Sequence, residues 1–201
     1  NKNVKAVVMA CNTTSAVTYD KLKNNYNFKI YPIIQSVSKV LSKMDIKNIG
    51  IFATDATINS HCYKKEITKY NSNINVYEIA CPEWVKIVED SQEGTSESDK
   101  LVKEKLDEML KNSPDKIVLG CTHYPLLIKP LKKYFSEKIE LVECSRAIAL
   151  EIDQLFKNGT LAVSDVSGSE YYTTDEVSRF DHLASYFLDD KAVQSVKIGL
   201  S

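Results

Sequence analysis

Two cysteines stand in matching surroundings. Cys11 follows the apolar run "VVMA" and precedes Asn12, Thr13 and Thr14, while Cys121 follows "IVLG" and precedes Thr122 and His123. A thiol where a buried strand gives way to amide and hydroxyl donors is placed to work beside an anion and to act as acid or base. Two such thiols meeting one carbon from opposite faces remove a proton on one side and return it on the other, which inverts a stereocentre. The usual fate of a free cysteine is a small buried hydrophobe, and Cys62, Cys81 and Cys144 are read that way. For Cys11 and Cys121 the repeated context favours chemistry.

The five cysteines include no Cys-x-x-Cys pair, which argues against a disulfide framework and a zinc knuckle. "CTH" at 121–123 has no second pair at ligand spacing, so no metal is expected. A pyridoxal enzyme would need a Schiff-base lysine and a phosphate cup; no glycine-rich phosphate loop is visible among the six glycines, and no cofactor is expected. The 26 basic and 27 acidic residues leave a formal net charge of −1. That balance points away from nucleic acid and from a membrane surface, and towards a small-molecule partner. No apolar run approaches the ~20 residues of a membrane span and no signal peptide opens the chain, so a cytoplasmic protein is expected. The only arginines, Arg146 and Arg179, lie far from both cysteine motifs in sequence. A bound carboxylate would therefore be held mostly by N–H and hydroxyl donors.

The elements that must position these residues alternate between strand-like runs and helix-period segments, the pattern of parallel βαβ units. Strands are expected at 4–10, 48–53, 75–80, 115–120, 139–143, 169–173 and 193–199. Ile33, Ile34, Val37, Val40, Leu41 and Met44 mark the apolar face of one helix. Ile148, Ala149, Ile152, Leu155 and Phe156 mark a second, stopped at Gly159. Val177, Phe180, Leu183, Ala184 and Phe187 mark a third. "SQEGTSESD" at 91–99 reads as a surface loop or helix entry, and "SDVSGSE" at 164–170 as another loop. In an open parallel sheet ligands bind beyond the carboxyl ends of the strands. Both Cys11 and Cys121 would sit there, each at the start of a helix whose free N–H groups favour thiolate. The strand–Cys–Thr–helix unit at 7–25 returns at 117–135, which suggests two similar α/β halves.

"ACNTTS" at 10–15 and "GCTHYPLL" at 120–127 resemble the two signature motifs of the glutamate racemases, in the aspartate/glutamate racemase superfamily. "ATDATINSHCY" at 53–63, "ACPEWVKIVE" at 80–89 and "YYTTDEVSRFDHLASYFL" at 171–188 extend the resemblance over nearly the whole chain. It implies an α/β fold of two flavodoxin-like domains with mainly parallel sheets, flanking helices and the active site between them. Residues 1–33 and 143–201 would form the first and 34–142 the second. The implied activity is cofactor-independent interconversion of L- and D-glutamate for peptidoglycan synthesis. By motif position Cys11 would act on the D-enantiomer and Cys121 on the L-enantiomer, with His123 assisting Cys121. Asn12, Thr13, Thr54, Thr57 and Thr122 match substrate-binding positions, and Glu89 matches an acidic residue near the site.

Plainer roles stand beside these: a structural histidine for His123, helix caps for Thr54 and Thr57, a solvated carboxylate for Glu89. His61 and His182 read as helix-surface residues without a role. Racemases of this kind are often dimers, so a homodimer is expected, although no surface in the sequence marks the pairing face. Family members also carry a strand, an Asp-Ser-Gly loop and a Tyr-Gly pair ahead of the first cysteine motif. These 201 residues do not contain them, which leaves the Cys11 half-site incomplete and the activity of this chain open. Two other readings remain: a racemase of the same superfamily acting on aspartate or hydantoins, and a non-catalytic ligand- or protein-binding homologue.

Overall fold

The computed structural model describes residues 4–134, 139–161, 168–189 and 193–199. The chain forms two compact units, 1–161 and 162–201. In the first, β1 (Ala6–Met9) leads into α1 (Asn12–Leu22), then β2 (Lys29–Pro32) and α2 (Ile33–Leu41). The sheet that follows is built from β3 (Asn48–Ala53), β4 (Asn75–Ala80), β5 (Lys116–Gly120) and β6 (Glu140–Glu143). Its helices are α3 (Asp55–Ser60), α4 (Cys62–Tyr70), α5 (Glu83–Glu89), α6 (Ser96–Leu110), α7 (Ile128–Lys132) and α8 (Cys144–Lys157). The second unit holds β7 (Tyr171–Thr173), α9 (Val177–Leu188) and β8 (Ser195–Lys197), with β7 and β8 paired in parallel.

Every described strand pair is parallel, so the protein is an α/β fold of parallel sheets with flanking helices. β1 pairs with β2, and the four-stranded sheet has the order β4-β3-β5-β6. The chain goes from β3 to β4 on one side, crosses back, and continues from β5 to β6 on the other. β3 and β5 therefore flank the point where the winding reverses, which opens a crevice beyond their carboxyl ends.

Strand periodicity explains why both faces are covered. Ile49, Ile51 and Ala53 of β3, with Val118 of β5, join one core cluster with Ile34, Val37 and Leu41 of α2, Tyr63 and Ile67 of α4, and Ile148 of α8. The alternate residues Phe52, Ile117 and Leu119 join the other with Trp84, Val88, Leu106, Met109 and Leu131. Successive side chains point to opposite faces, so near-continuous apolar strands need a helix layer on each side.

Two local differences from the sequence reading have physical reasons. β2 was not expected, because "KIYP" runs without a turn signal into "IIQSV" and hides in the apolar stretch of α2. Pro32 is both the last strand residue and the N-cap of α2; its fixed φ and missing N–H suit that handover. The second difference lies after Cys121, where a short 3-10 helix over Tyr124–Leu127 precedes α7 in place of an immediate α-helix. Pro125 near its start and Pro130 within α7 help to keep these elements short. The stretch at 91–99 resolves as a helix entry, with Thr95 Oγ1 accepting the Ser98 N–H of α6 at 3.2 Å. Gly159, at φ +74°, follows the end of α8 as expected. Most of the 164–170 loop lies outside the described residues.

Candidate active site

The register of the sheet places the second motif. Ala53 of β3 pairs with Gly120 of β5, so Thr54 and Cys121 leave neighbouring strands at the same level, at the winding reversal. Gly120 is required by close approach: a Cβ there would lie 2.9 Å from the Phe52 carbonyl oxygen and 3.2 Å from the Tyr63 ring. Cys121 is 8% exposed. Burial pushes its thiol up from the ordinary value, while the His123 and Tyr124 backbone N–H groups and the Thr122 side chain pull it down. Charge on Cys11 pushes it up as well.

Cys11 is exposed and is the N-cap of α1, its Sγ accepting the Thr14 N–H at 3.5 Å. The orphan N–H groups of a helix start explain why a sulfur can serve here. The next residue, Asn12, is buried, and Tyr63 Oη donates to its Oδ1 at 2.6 Å.

Three of the expected substrate-binding residues form a triangle. Thr13 Oγ1 lies 2.7 Å from Thr54 Oγ1 and 3.3 Å from Thr57 Oγ1, and the last two are 3.1 Å apart. Thr54 occupies the N-cap position of α3, but its side chain makes no cap bond; its hydroxyl turns to Thr13 and Thr57 instead. The triangle ties the start of α1 to the start of α3.

A second group surrounds Cys121. His123 Nδ1 lies 3.6 Å from Cys121 Sγ and 3.4 Å from Thr122 Oγ1. Its other nitrogen, Nε2, lies 3.3 Å from Glu89 Oε1, both side chains being about a quarter exposed. Thiol, imidazole and carboxylate thus stand in series, an arrangement in which the carboxylate orients the ring towards the thiol. Glu89 ends α5, far from His123 in sequence, and only the fold joins them.

Tyr63 and Cys144 are contacts that the sequence reading missed. Cys144 is buried as expected, but its Sγ lies 3.1 Å from Tyr63 Oη and donates to the Leu119 carbonyl at 3.4 Å. The available signal was Tyr63 itself, four residues before Ile67 on the core face of α4, since a buried phenol needs a polar partner. His61 is not an ordinary helix-surface residue. It sits at φ +52° between α3 and α4, with Nδ1 2.7 Å from Glu78 Oε2. His182 is exposed on α9. Among the described residues no three His, Cys, Asp or Glu side chains are grouped to hold a metal, and no helix is long and apolar enough to cross a membrane.

Residues 1–152 match the Asp/Glu/Hydantoin racemase family. A glutamate racemase of Lactobacillus acidophilus is 34% identical over 197 residues, covering 96% of this chain and 73% of the relative. The crystal structure of a glutamate racemase isoform from Bacillus anthracis superposes with a TM-score of 0.90 at 30% identity, over 98% of this chain and 74% of that one. Glutamate racemase from Francisella tularensis, solved with D-glutamate, gives 0.86 at 27% identity over 98% and 74% of the two chains. Parallel α/β architecture, two strand-end cysteine motifs and these likenesses agree: the chain belongs to the Asp/Glu/Hydantoin racemase family and is an enzyme of the amino-acid racemase class.

Proposed function

We propose that the protein interconverts L- and D-glutamate by thiol acid/base chemistry, providing D-glutamate for peptidoglycan synthesis. The observation that carries this reading is the pair of cysteine motifs at the carboxyl ends of parallel strands β1 and β5, with Cys121 in series with His123 and Glu89. The names of the relatives supply the substrate.

In the L-to-D direction the Cys121 thiolate takes the α-proton of L-glutamate, leaving the C–H electron pair on the α-carbon. The Cys11 thiol then delivers its proton to the opposite face, and the pair forms the new C–H bond. Cys121 ends as thiol and Cys11 as thiolate, so proton exchange with solvent resets the site. In the reverse direction the roles are exchanged. Because burial holds Cys121 in its neutral form, turning it into a base requires an acceptor. His123 is placed to take that proton, and Glu89 to support the resulting imidazolium. Thr122 beside Cys121, the hydroxyls of Thr13, Thr54 and Thr57, and the amide of Asn12 supply uncharged donors for the carboxylates. Such donors act on the developing carbanion best in a site closed to water.

The test is proton NMR of L-glutamate and, separately, D-glutamate with the protein in heavy water. Loss of the α-proton signal is expected with both enantiomers. Cys11→Ser should retain exchange of L-glutamate while losing that of D-glutamate, and Cys121→Ser should do the opposite. Absence of exchange with either enantiomer in the unaltered protein would overturn the reading.

A further inference from the structure

Tyr63 belongs to neither cysteine motif, yet it touches both. Its ring packs against Gly120, where a Cβ would come within 3.2 Å of Cε2. Its hydroxyl reaches the Asn12 Oδ1 at 2.6 Å. The side chain is fully buried, so no solvent competes for the phenol proton.

The hydrogen-bond inventory fixes the direction of that contact. The single Cys144 thiol proton goes to the Leu119 carbonyl, which leaves sulfur as a weak acceptor beside Tyr63. The phenol proton therefore goes to the stronger acceptor, Asn12 Oδ1. Turning the amide over would replace this bond with an N–H donated to the phenol oxygen and leave the phenol proton only sulfur. One amide orientation is selected. Asn12 Nδ2, by contrast, is buried and has no hydrogen-bond partner. An unpaired buried donor costs about 1–3 kcal/mol, so one kept in a native structure calls for an explanation.

We infer that Tyr63 is a positioning residue: its hydroxyl locks the Asn12 amide with Nδ2 reserved as a donor for a substrate carboxylate. The inference rests on the racemase reading of the site. Without the lock the amide presents oxygen as readily as nitrogen, and an oxygen repels the carboxylate it should bind. Gly120 has a matching purpose, since only a residue without Cβ lets the Tyr63 ring lie against the strand that leads into Cys121.

The experiment pairs kinetics with side-chain amide NMR on Tyr63→Phe, Asn12→Ala and the double variant. The Asn12 amide signals are identified by their loss in Asn12→Ala. In Tyr63→Phe they should shift, while KM for both enantiomers rises about tenfold and kcat stays within about twofold. In the Asn12→Ala background, Tyr63→Phe should leave KM unchanged, because its effect passes through Asn12. Unmoved Asn12 signals in Tyr63→Phe, or an equal KM rise in the Asn12→Ala background, would overturn the inference. A protein that exchanges no α-proton refutes the racemase reading instead, and the amide spectrum still decides the role of Tyr63.

Discussion

Glu89 and His123 meet at 3.3 Å, carboxylate oxygen to Nε2, on the side of the imidazole facing away from Cys121. The contact gives the ring a fixed orientation and sets a carboxylate behind it. Glu89→Gln keeps the shape and removes the charge. It should lower the rate of α-proton exchange from L-glutamate about tenfold, and His123→Asn about a hundredfold. Exchange from D-glutamate, which begins at Cys11 in the proposed reaction, should fall less in both variants. Separate exchange rates for the two enantiomers check this; equal losses would place the pair outside proton transfer at Cys121.

The threonine triangle should matter for both stability and binding. Thr57 is 1% exposed and its hydroxyl faces those of Thr13 and Thr54. Thr57→Val removes one partner from each of the Thr13 and Thr54 hydroxyls, which keep only each other in a partly buried place, a loss of about 1–2 kcal/mol. Urea denaturation should show that loss, and KM for glutamate should rise in the same variant.

Glycines in adjoining strands provide a contrast. At Gly50 a Cβ would meet the Met109 sulfur at 2.5 Å, but at Gly120 it would meet the Phe52 backbone oxygen at 2.9 Å. A methionine side chain can turn aside, whereas a backbone carbonyl in a paired strand cannot. Gly120→Ala should cost about 1–3 kcal/mol and suppress activity by displacing Cys121. Gly50→Ala should cost less and leave activity near normal. Thermal melts and turnover of the two variants provide the comparison.

Alkaline pH should weaken the fold. Burial pushes the Cys62 thiol up to about 11 and the Cys144 thiol up to about 12 from an ordinary 9.0, and raises the Tyr63 phenol well above its usual value. The folded state therefore holds these protons more tightly than the unfolded chain does. Their stabilising contribution is complete below pH 9 and is lost as pH rises through the folded values. Tm should fall progressively above pH 9, and Cys144→Ala should make that decline shallower even though it lowers Tm at neutral pH. A flat profile to pH 11 would contradict this.

Much of the architecture could be read along the chain because strand and helix periods are local. The strands around 48–53 and 116–120 announced themselves as apolar runs, 75–80 as a short β-prone segment, and α8 by its apolar face and Gly159. β2 escaped because an unbroken apolar stretch carries no mark where a strand ends and a helix begins. His61 escaped because its left-handed backbone and its tie to Glu78 depend on how α3 meets α4 over the sheet.

The sequence by itself determined which chemically able residues lie together along the chain: two cysteines at strand ends, their neighbouring threonines and amide, and a histidine two residues beyond the second thiol. Motif spacing carries that information, since a strand end and the residues after it are set by adjacent amino acids. Only the tertiary structure decided who touches whom. The registration of Ala53 with Gly120 sets Thr54 beside Cys121, the end of α5 brings Glu89 to His123, and α4 carries Tyr63 to Asn12 across 51 residues. Contacts of this kind arise from sheet order and helix packing, which are properties of the whole core and leave no mark at the residues they join.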